Sequence, residues 1–218
     1  MLLLLIRHGL TGQTGARLTG WTPGVSLSKE GRAQAESVAE RLDGVGIDAI
    51  YSSPLERCQE TAAPLARVRK LRVRTREDLG EVRYGEIQGK SYKVLAKSKL
   101  WRHLAAWPSD LRFPGGETLR ETQARAVSAI ESLRETHMKD TIAVFSHADW
   151  IRLATAHFMG IHVDLYRRIT IDPVSVSALA FYPLGVQVRL LNDTGSVAHI
   201  AGAPPAKPSS NRARGSKR

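Results

Sequence analysis

The stretch Leu2-Leu3-Leu4-Leu5-Ile6-Arg7-His8-Gly9-Leu10-Thr11 decides how this chain is read. An unbroken apolar run that ends abruptly in Arg-His-Gly reads as a strand buried on both faces, its polar C-terminal end spilling into a loop. In open α/β sheets that end of a strand is where ligand crevices form. His8 is a candidate nucleophile there and Arg7 a fixed positive charge. Gly9 is a position where the backbone can turn sharply or approach a ligand closely.

The same address recurs downstream. Residues 12–27 are rich in Gly, Thr and Pro and read as an irregular loop returning over the strand end, pinned to the core by Trp21 and Leu27. Ser28 reads as an N-cap, with Glu30 in the first turn and Ala35, Val38, Ala39 and Leu42 at helical spacing until Gly44 and Gly46. Residues 47–51 form a short second strand, Ser52-Ser53 follows, and Pro54 opens a helix at the first position, where proline is tolerated. Two strand-to-helix units in succession predict a right-handed crossover, which brings Arg57 to the same sheet edge as His8. Residues 71–73 suit a third strand. Residues 141–145 are another β-rich run, ending in Ser146-His147-Ala148-Asp149 ahead of a helix. Residues 174–182 and 186–191 read as an antiparallel hairpin. The predicted fold is α/β: a three-layer sandwich with a mostly parallel central sheet flanked by helices, an antiparallel edge hairpin, and a helical insertion over the site. That insertion, residues 86–116, is basic and aromatic and suits a lid or, equally, a solvated, packed helix pair.

Three strand ends thus deliver Arg7 with His8, Arg57, and His147 to one edge of the sheet. Two arginines and two histidines in one crevice predict an anionic ligand, most simply a phosphate.

The 218 residues, 42% of them apolar, suit one domain over residues 1–202. Residues 203–218 contain Lys207, Arg212, Arg214, Lys217 and Arg218 with no acid, and read as a disordered basic tail, a solubilising appendage first and a weak polyanion contact second. They account for five of the net +11, leaving +6 elsewhere, which suits a small anionic substrate. The single cysteine, Cys58, excludes an internal disulfide and fits a reducing cytoplasm. No stretch reaches membrane-spanning length, and no spacing suits a zinc site. A cytoplasmic protein without metal or other cofactor is expected. His103, His137, His157, His162 and His199 have no partner identifiable from sequence.

With these motifs in hand, the chain resembles the histidine phosphatase superfamily, in its phosphoglycerate-mutase-like branch. The resemblance rests on Arg7-His8-Gly9, Ser52-Ser53-Pro54-Leu55-Glu56-Arg57, Leu79-Gly80-Glu81-Val82-Arg83-Tyr84-Gly85, Ser146-His147 and the turn Pro114-Gly115-Gly116-Glu117. It implies that His8 accepts the phosphoryl group as a phosphohistidine and that Glu81 protonates the leaving alcohol. It further implies that Arg7, Arg57, His147 and Thr14 bind phosphoryl oxygens, and that Arg83 and Tyr84 contact the substrate. Thr14 stands where many members have Asn, and Ala148 where Gly is usual, which matters only if that backbone has positive φ. A homodimer is a further expectation from the resemblance, although no exposed apolar stripe demands it.

The mutases that this chain resembles have Arg where Val82 stands, and carry paired arginines that grip a second acidic group, a pair not found in residues 86–116. Hydrolysis of small phosphorylated metabolites is therefore the leading expectation. A cofactor-dependent phosphomutase is the alternative, and a basic binding protein on the same fold is the third.

Overall fold

In a computed structural model that describes residues 1–195, the opening run forms β1 (Leu2–Arg7) in the interior of a six-stranded sheet. The remaining strands are β2 (Ala49–Ser52), β3 (Val73–Thr75), β4 (Thr141–Ser146), β5 (Val176–Tyr182) and β6 (Gly185–Asp193), in the spatial order β3-β2-β4-β1-β5-β6. β1 pairs in parallel with β4 and β2 in parallel with both β4 and β3, while β5 and β6 run antiparallel at one edge.

The apolar run is continuous because both faces of β1 are covered, so the two-residue alternation sends side chains into two different cores. Leu4 and Ile6 pack with Val38, Ala39 and Leu42 of α1 (Lys29–Arg41) and its end, and with Cys58, Ala62 and Leu65 of α2 (Glu56–Arg69). Leu3 and Leu5 join the larger cluster on the other face. That cluster draws on α3 (Tyr92–Leu95), α4 (Lys99–Ala106), α5 (Leu119–Thr136) and α6 (Ala148–Phe158). The three-layer α/β arrangement expected from sequence is the one observed.

Local signals set most of the helix starts. The Ser28 hydroxyl accepts from the Gly31 N–H at 3.0 Å at the start of α1, and Thr118 and Glu121 form a reciprocal capping box at the start of α5. The second helix departs from expectation: α2 begins at Glu56 with Leu55 as N-cap, so Pro54 lies in the preceding turn rather than in the first helical turn. β3 likewise starts two residues later than predicted, at Val73.

Chain connection makes the crevice. The chain leaves β1 toward β2 on one side of β4, and leaves β4 toward β5 on the other side of β1, so the direction of winding reverses between these two strands. The ends of β1, β2 and β4 are tied there: the His8 N–H donates to the Ser146 carbonyl at 3.0 Å, and the Ser53 N–H to that of Phe145 at 2.9 Å. Among the described residues no helix is long and apolar enough to cross a membrane. The basic tail, residues 203–218, lies outside the described residues.

Candidate active site

A cavity of about 670 Å³ opens over these strand ends. Arg7, His8, Thr14, Arg57, Glu81 and Tyr84 line it, as expected from sequence. Gly9 serves a different purpose from the expected ligand approach. A Cβ on Gly9 would meet the Gly31 carbonyl oxygen at 2.7 Å, and one on Gly31 would meet that of Leu10 at 1.9 Å. The two glycines let the loop after β1 press directly on the first turn of α1, which fixes where His8 sits.

The His8 ring is 7% exposed. Its Nδ1 lies 2.8 Å from its neighbour's carbonyl, Gly9 O, which can only accept, so Nδ1 carries the proton and Nε2 keeps the lone pair. Burial first, then the Arg57 and Arg7 charges, hold its pKa well below the ordinary histidine value. The imidazole is neutral at neutral pH, with one nitrogen free among the described residues.

Arg57, 2% exposed, is aimed by a single nitrogen. Its Nη2 donates to the Gly20 carbonyl at 2.7 Å and to Nδ1 of His147 at 3.1 Å. Its Nε and Nη1 are buried without a partner among the described residues, as is Nε of Arg7, whose Nη1 is held by the Ile171 carbonyl at 2.7 Å. Three buried, unanswered guanidinium donors are costly unless an acceptor binds there, and an oxyanion supplies acceptors of the right charge.

His147 is fully buried and stands behind this wall. Because Arg57 can only donate, Nδ1 of His147 is the acceptor, and Nε2 donates to the Ser53 hydroxyl at 2.8 Å. Both ring nitrogens are therefore engaged by protein, and His147 meets the cavity through Arg57 and through His8, whose ring centroid is 5.3 Å away. Cys58 packs beside it, Sγ 3.4 Å from Nε2, and burial pushes the thiol up to about 12, so it stays protonated.

Glu81 sits in an irregular segment held by its backbone. Its carbonyl accepts from Trp21 Nε1 at 2.6 Å and from Arg125 Nη2 at 3.2 Å, while Arg125 Nη1 also spans the Asp78 and Gly80 carbonyls. Its Oε1 accepts from the N–H groups of Val82 and Trp150, leaving Oε2 without a partner among the described residues. Burial first, and then the neighbouring Asp149 charge, raise the Glu81 carboxyl to about 7, so protonated and ionised forms coexist near neutrality.

One expectation needs correction. Arg83 is not on the cavity wall: its guanidinium lies 4.1 Å over the Trp21 ring and pairs with Glu77 at 2.6 Å near the surface. The Thr14 hydroxyl lines the cavity but is engaged locally, accepting from the Thr11 N–H at 2.9 Å and lying 3.0 Å from the Thr11 hydroxyl. Ala148, by contrast, is the first residue of α6 and is not among the positive-φ residues, so its methyl group carries no strain.

Sequence reasoning missed Asp149, which accepts from Tyr84 OH at 2.7 Å and from Arg152 Nη1 at 2.8 Å. Its place three residues after Ser146, in the first turn of a helix at a strand end, was the available signal. Arg17, Arg152 and Arg167 also line the cavity, with Tyr92, Trp101 and Leu104 from the basic insertion. No group of three or more His, Cys, Asp or Glu side chains among the described residues forms a metal cage.

The family model described as histidine phosphatase superfamily (branch 1) matches residues 3–194. Phosphoglycerate mutase-like protein 4 of Arabidopsis thaliana is 34% identical over 155 residues, covering 69% of this chain and 67% of that protein. Phosphoserine phosphatase 1 of Hydrogenobacter thermophilus is 26% identical over 179 residues, covering 81% and 85%. The crystal structure of the alpha-ribazole phosphatase from Shigella flexneri superposes with a TM-score of 0.80 at 25% identity, covering 89% of this chain and 97% of that one.

Proposed function

The chain belongs to branch 1 of the histidine phosphatase superfamily, and from that premise we propose that it is a metal-independent phosphomonoesterase acting on small phosphorylated metabolites through a phosphohistidine at His8. The observation that carries this reading is the pairing of a buried, neutral His8 whose Nε2 is free, among the described residues, with three guanidinium donors on Arg7 and Arg57 that have no partner among them. A loose phosphoryl-transfer transition state spreads negative charge over its equatorial oxygens, and fixed cations in a water-poor site stabilise that charge without reorganising.

The roles divide as follows. His8 Nε2 attacks phosphorus, the bond to the ester oxygen breaks, and protonated Glu81 gives its proton to the departing alcohol. Water then attacks the phosphohistidine, ionised Glu81 takes its proton, and the P–N bond breaks to release inorganic phosphate and restore the lone pair. A carboxyl near 7 suits both halves of that cycle. His147 acts through Arg57, holding it so that Nε and Nη1 face the phosphoryl group. Small-metabolite hydrolysis fits the relatives, which include phosphoserine phosphatase 1 and adenosylcobalamin/alpha-ribazole phosphatase. Residues 86–116 act as the lid, the setting is cytoplasmic, and a homodimer and weak polyanion contact through residues 203–218 complete the reading.

Phosphate release from a panel of monoesters by wild type and His8→Ala, without added metal, tests the proposal. Activity that the substitution abolishes supports it. Absence of release by wild type from every ester overturns it.

A further inference from the structure

Beyond the residues assigned to the phosphoryl group, the cavity wall carries three more arginines, Arg17, Arg152 and Arg167, against one further carboxylate, Asp149, among the described residues. Arg152 is already neutralised by Asp149 at 2.8 Å, with its Nε on the Ile169 carbonyl at 3.0 Å. Arg167 is different. It lies in the 3-10 turn Val163–Arg168, its Nε donates to the hydroxyl of the buried Tyr166 at 3.2 Å, and its guanidinium carbon sits 5.3 Å above the Trp101 ring. Trp101 is itself braced by Tyr92, with ring centroids 5.7 Å apart. Neither Nη1 nor Nη2 of Arg167 has a partner, and no carboxylate pairs with it, among the described residues. Arg167 is exposed as a residue, but its guanidinium is stacked on an aromatic face and held through Nε, so its open side is the two-pronged edge that binds carboxylate or phosphate bidentately.

Arg167 lines the same cavity as His8, Arg7 and Arg57, and that cavity has room for more than a phosphoryl group. Its volume of about 670 Å³ exceeds what a phosphoryl group alone fills and lies in the range of sites for ligands of drug size, roughly 300–1,000 Å³. We infer that Arg167, laid over Trp101, receives a second oxyanion on the leaving alcohol, so that the preferred substrates are phosphomonoesters bearing a carboxylate or a further phosphate. This rests on the phosphatase reading of the same cavity. The second-anion grip sought in the insertion at 86–116 is thus split: the insertion supplies the aromatic platform, and a later turn supplies the cation.

The test compares kcat/KM for 3-phosphoglycerate and for fructose 1,6-bisphosphate, each divided by that for glycerol 3-phosphate, which lacks a second anion. Wild type should favour an ester with a second anion, and Arg167→Gln should lower that ratio at least tenfold, chiefly through KM, with partial recovery in Arg167→Lys. The arm that responds distinguishes carboxylate from phosphate recognition. A wild-type ratio near one, or a ratio that Arg167→Gln leaves in place, overturns the inference. Should wild type hydrolyse none of these three esters, the monoester panel decides the phosphatase reading separately. Equilibrium binding of 3-phosphoglycerate, fructose 1,6-bisphosphate and glycerol 3-phosphate to His8→Ala with and without Arg167→Gln then decides: a preference lost at least tenfold supports Arg167, and no preference overturns it.

Discussion

Nη2 of Arg57 lies 3.1 Å from Nδ1 of His147, and that one contact fixes both partners. It makes Nδ1 the acceptor, sends the His147 proton to Ser53, and turns the free edge of Arg57 toward the cavity. Arg57→Lys keeps the charge but offers one point where the fork made several contacts. We expect kcat/KM to fall by about 10²–10³, the loss typical of removing one preorganised donor to an oxyanion. An activity within a few-fold of wild type would show that the charge alone suffices.

The Glu81 carboxyl, raised to about 7 by burial and then by Asp149, sets the descending limb of the pH profile. For the free enzyme kcat/KM should be level below about pH 7 and decline above it, as the acid that protonates the leaving group ionises. The ascending limb, set by His8, should lie well below the ordinary histidine value. Asp149→Asn removes the second-largest cause and should move the descending limb to lower pH, and an unmoved limb would dissociate it from Glu81.

The same shift has a consequence for stability. Folded Glu81 holds its proton more tightly than the unfolded chain, from 4.5 up to about 7, so between those values stability falls as pH rises. In Glu81→Gln that loss disappears. Thermal melts should show the variant gaining on wild type as pH rises through this window, with the difference level above pH 7 and smallest below about 4.5.

Trp21 holds the Glu81 segment by its indole N–H, 2.6 Å from the Glu81 carbonyl. Trp21→Phe keeps a ring beneath Arg83 and deletes that donor together with part of the indole ring that packs on Gly80. A hydrogen bond of about 1–1.5 kcal/mol predicts roughly a tenfold loss, expressed in kcat rather than KM because the group positioned is the acid. A change confined to KM would place Trp21 in substrate binding instead.

Gly31→Ala forces a methyl group to 1.9 Å from the Leu10 carbonyl. Overpacking of this kind costs about 1–3 kcal/mol, and each kcal/mol lowers Tm by about 2–4 °C in a chain of this size. Because the displaced peptide follows His8 by two residues, activity should fall with Tm. An unaltered Tm would mean that the loop yields freely.

The sheet and the phosphate end of the site were legible because each is written locally: an apolar run, a helix start, and a motif at the junction place Arg7, His8 and Arg57 without distant information. Glu81 was legible only through the motif around it, since its anchors, Trp21 and Arg125, come from elements 60 and 44 residues away. His137, for which the sequence offered no partner, meets Tyr51 at 2.8 Å across 86 residues. Arg83 was misplaced because its neighbour in sequence, Tyr84, faces the cavity while Arg83 turns out over Trp21. Arg167 was invisible for the opposite reason: nothing in its own turn announces a ligand until Trp101 is folded beneath it.

The most direct measurement is mass spectrometry of the intact protein and its peptides, quenched at high pH during turnover of an aryl phosphate by wild type, Glu81→Gln and His8→Ala. The account predicts one phosphoryl group on His8 in wild type, accumulation of that species in Glu81→Gln, where water lacks its base, and none in His8→Ala. Phosphate release by His8→Ala at the wild-type rate, or a phosphoryl group carried on another residue, would contradict it.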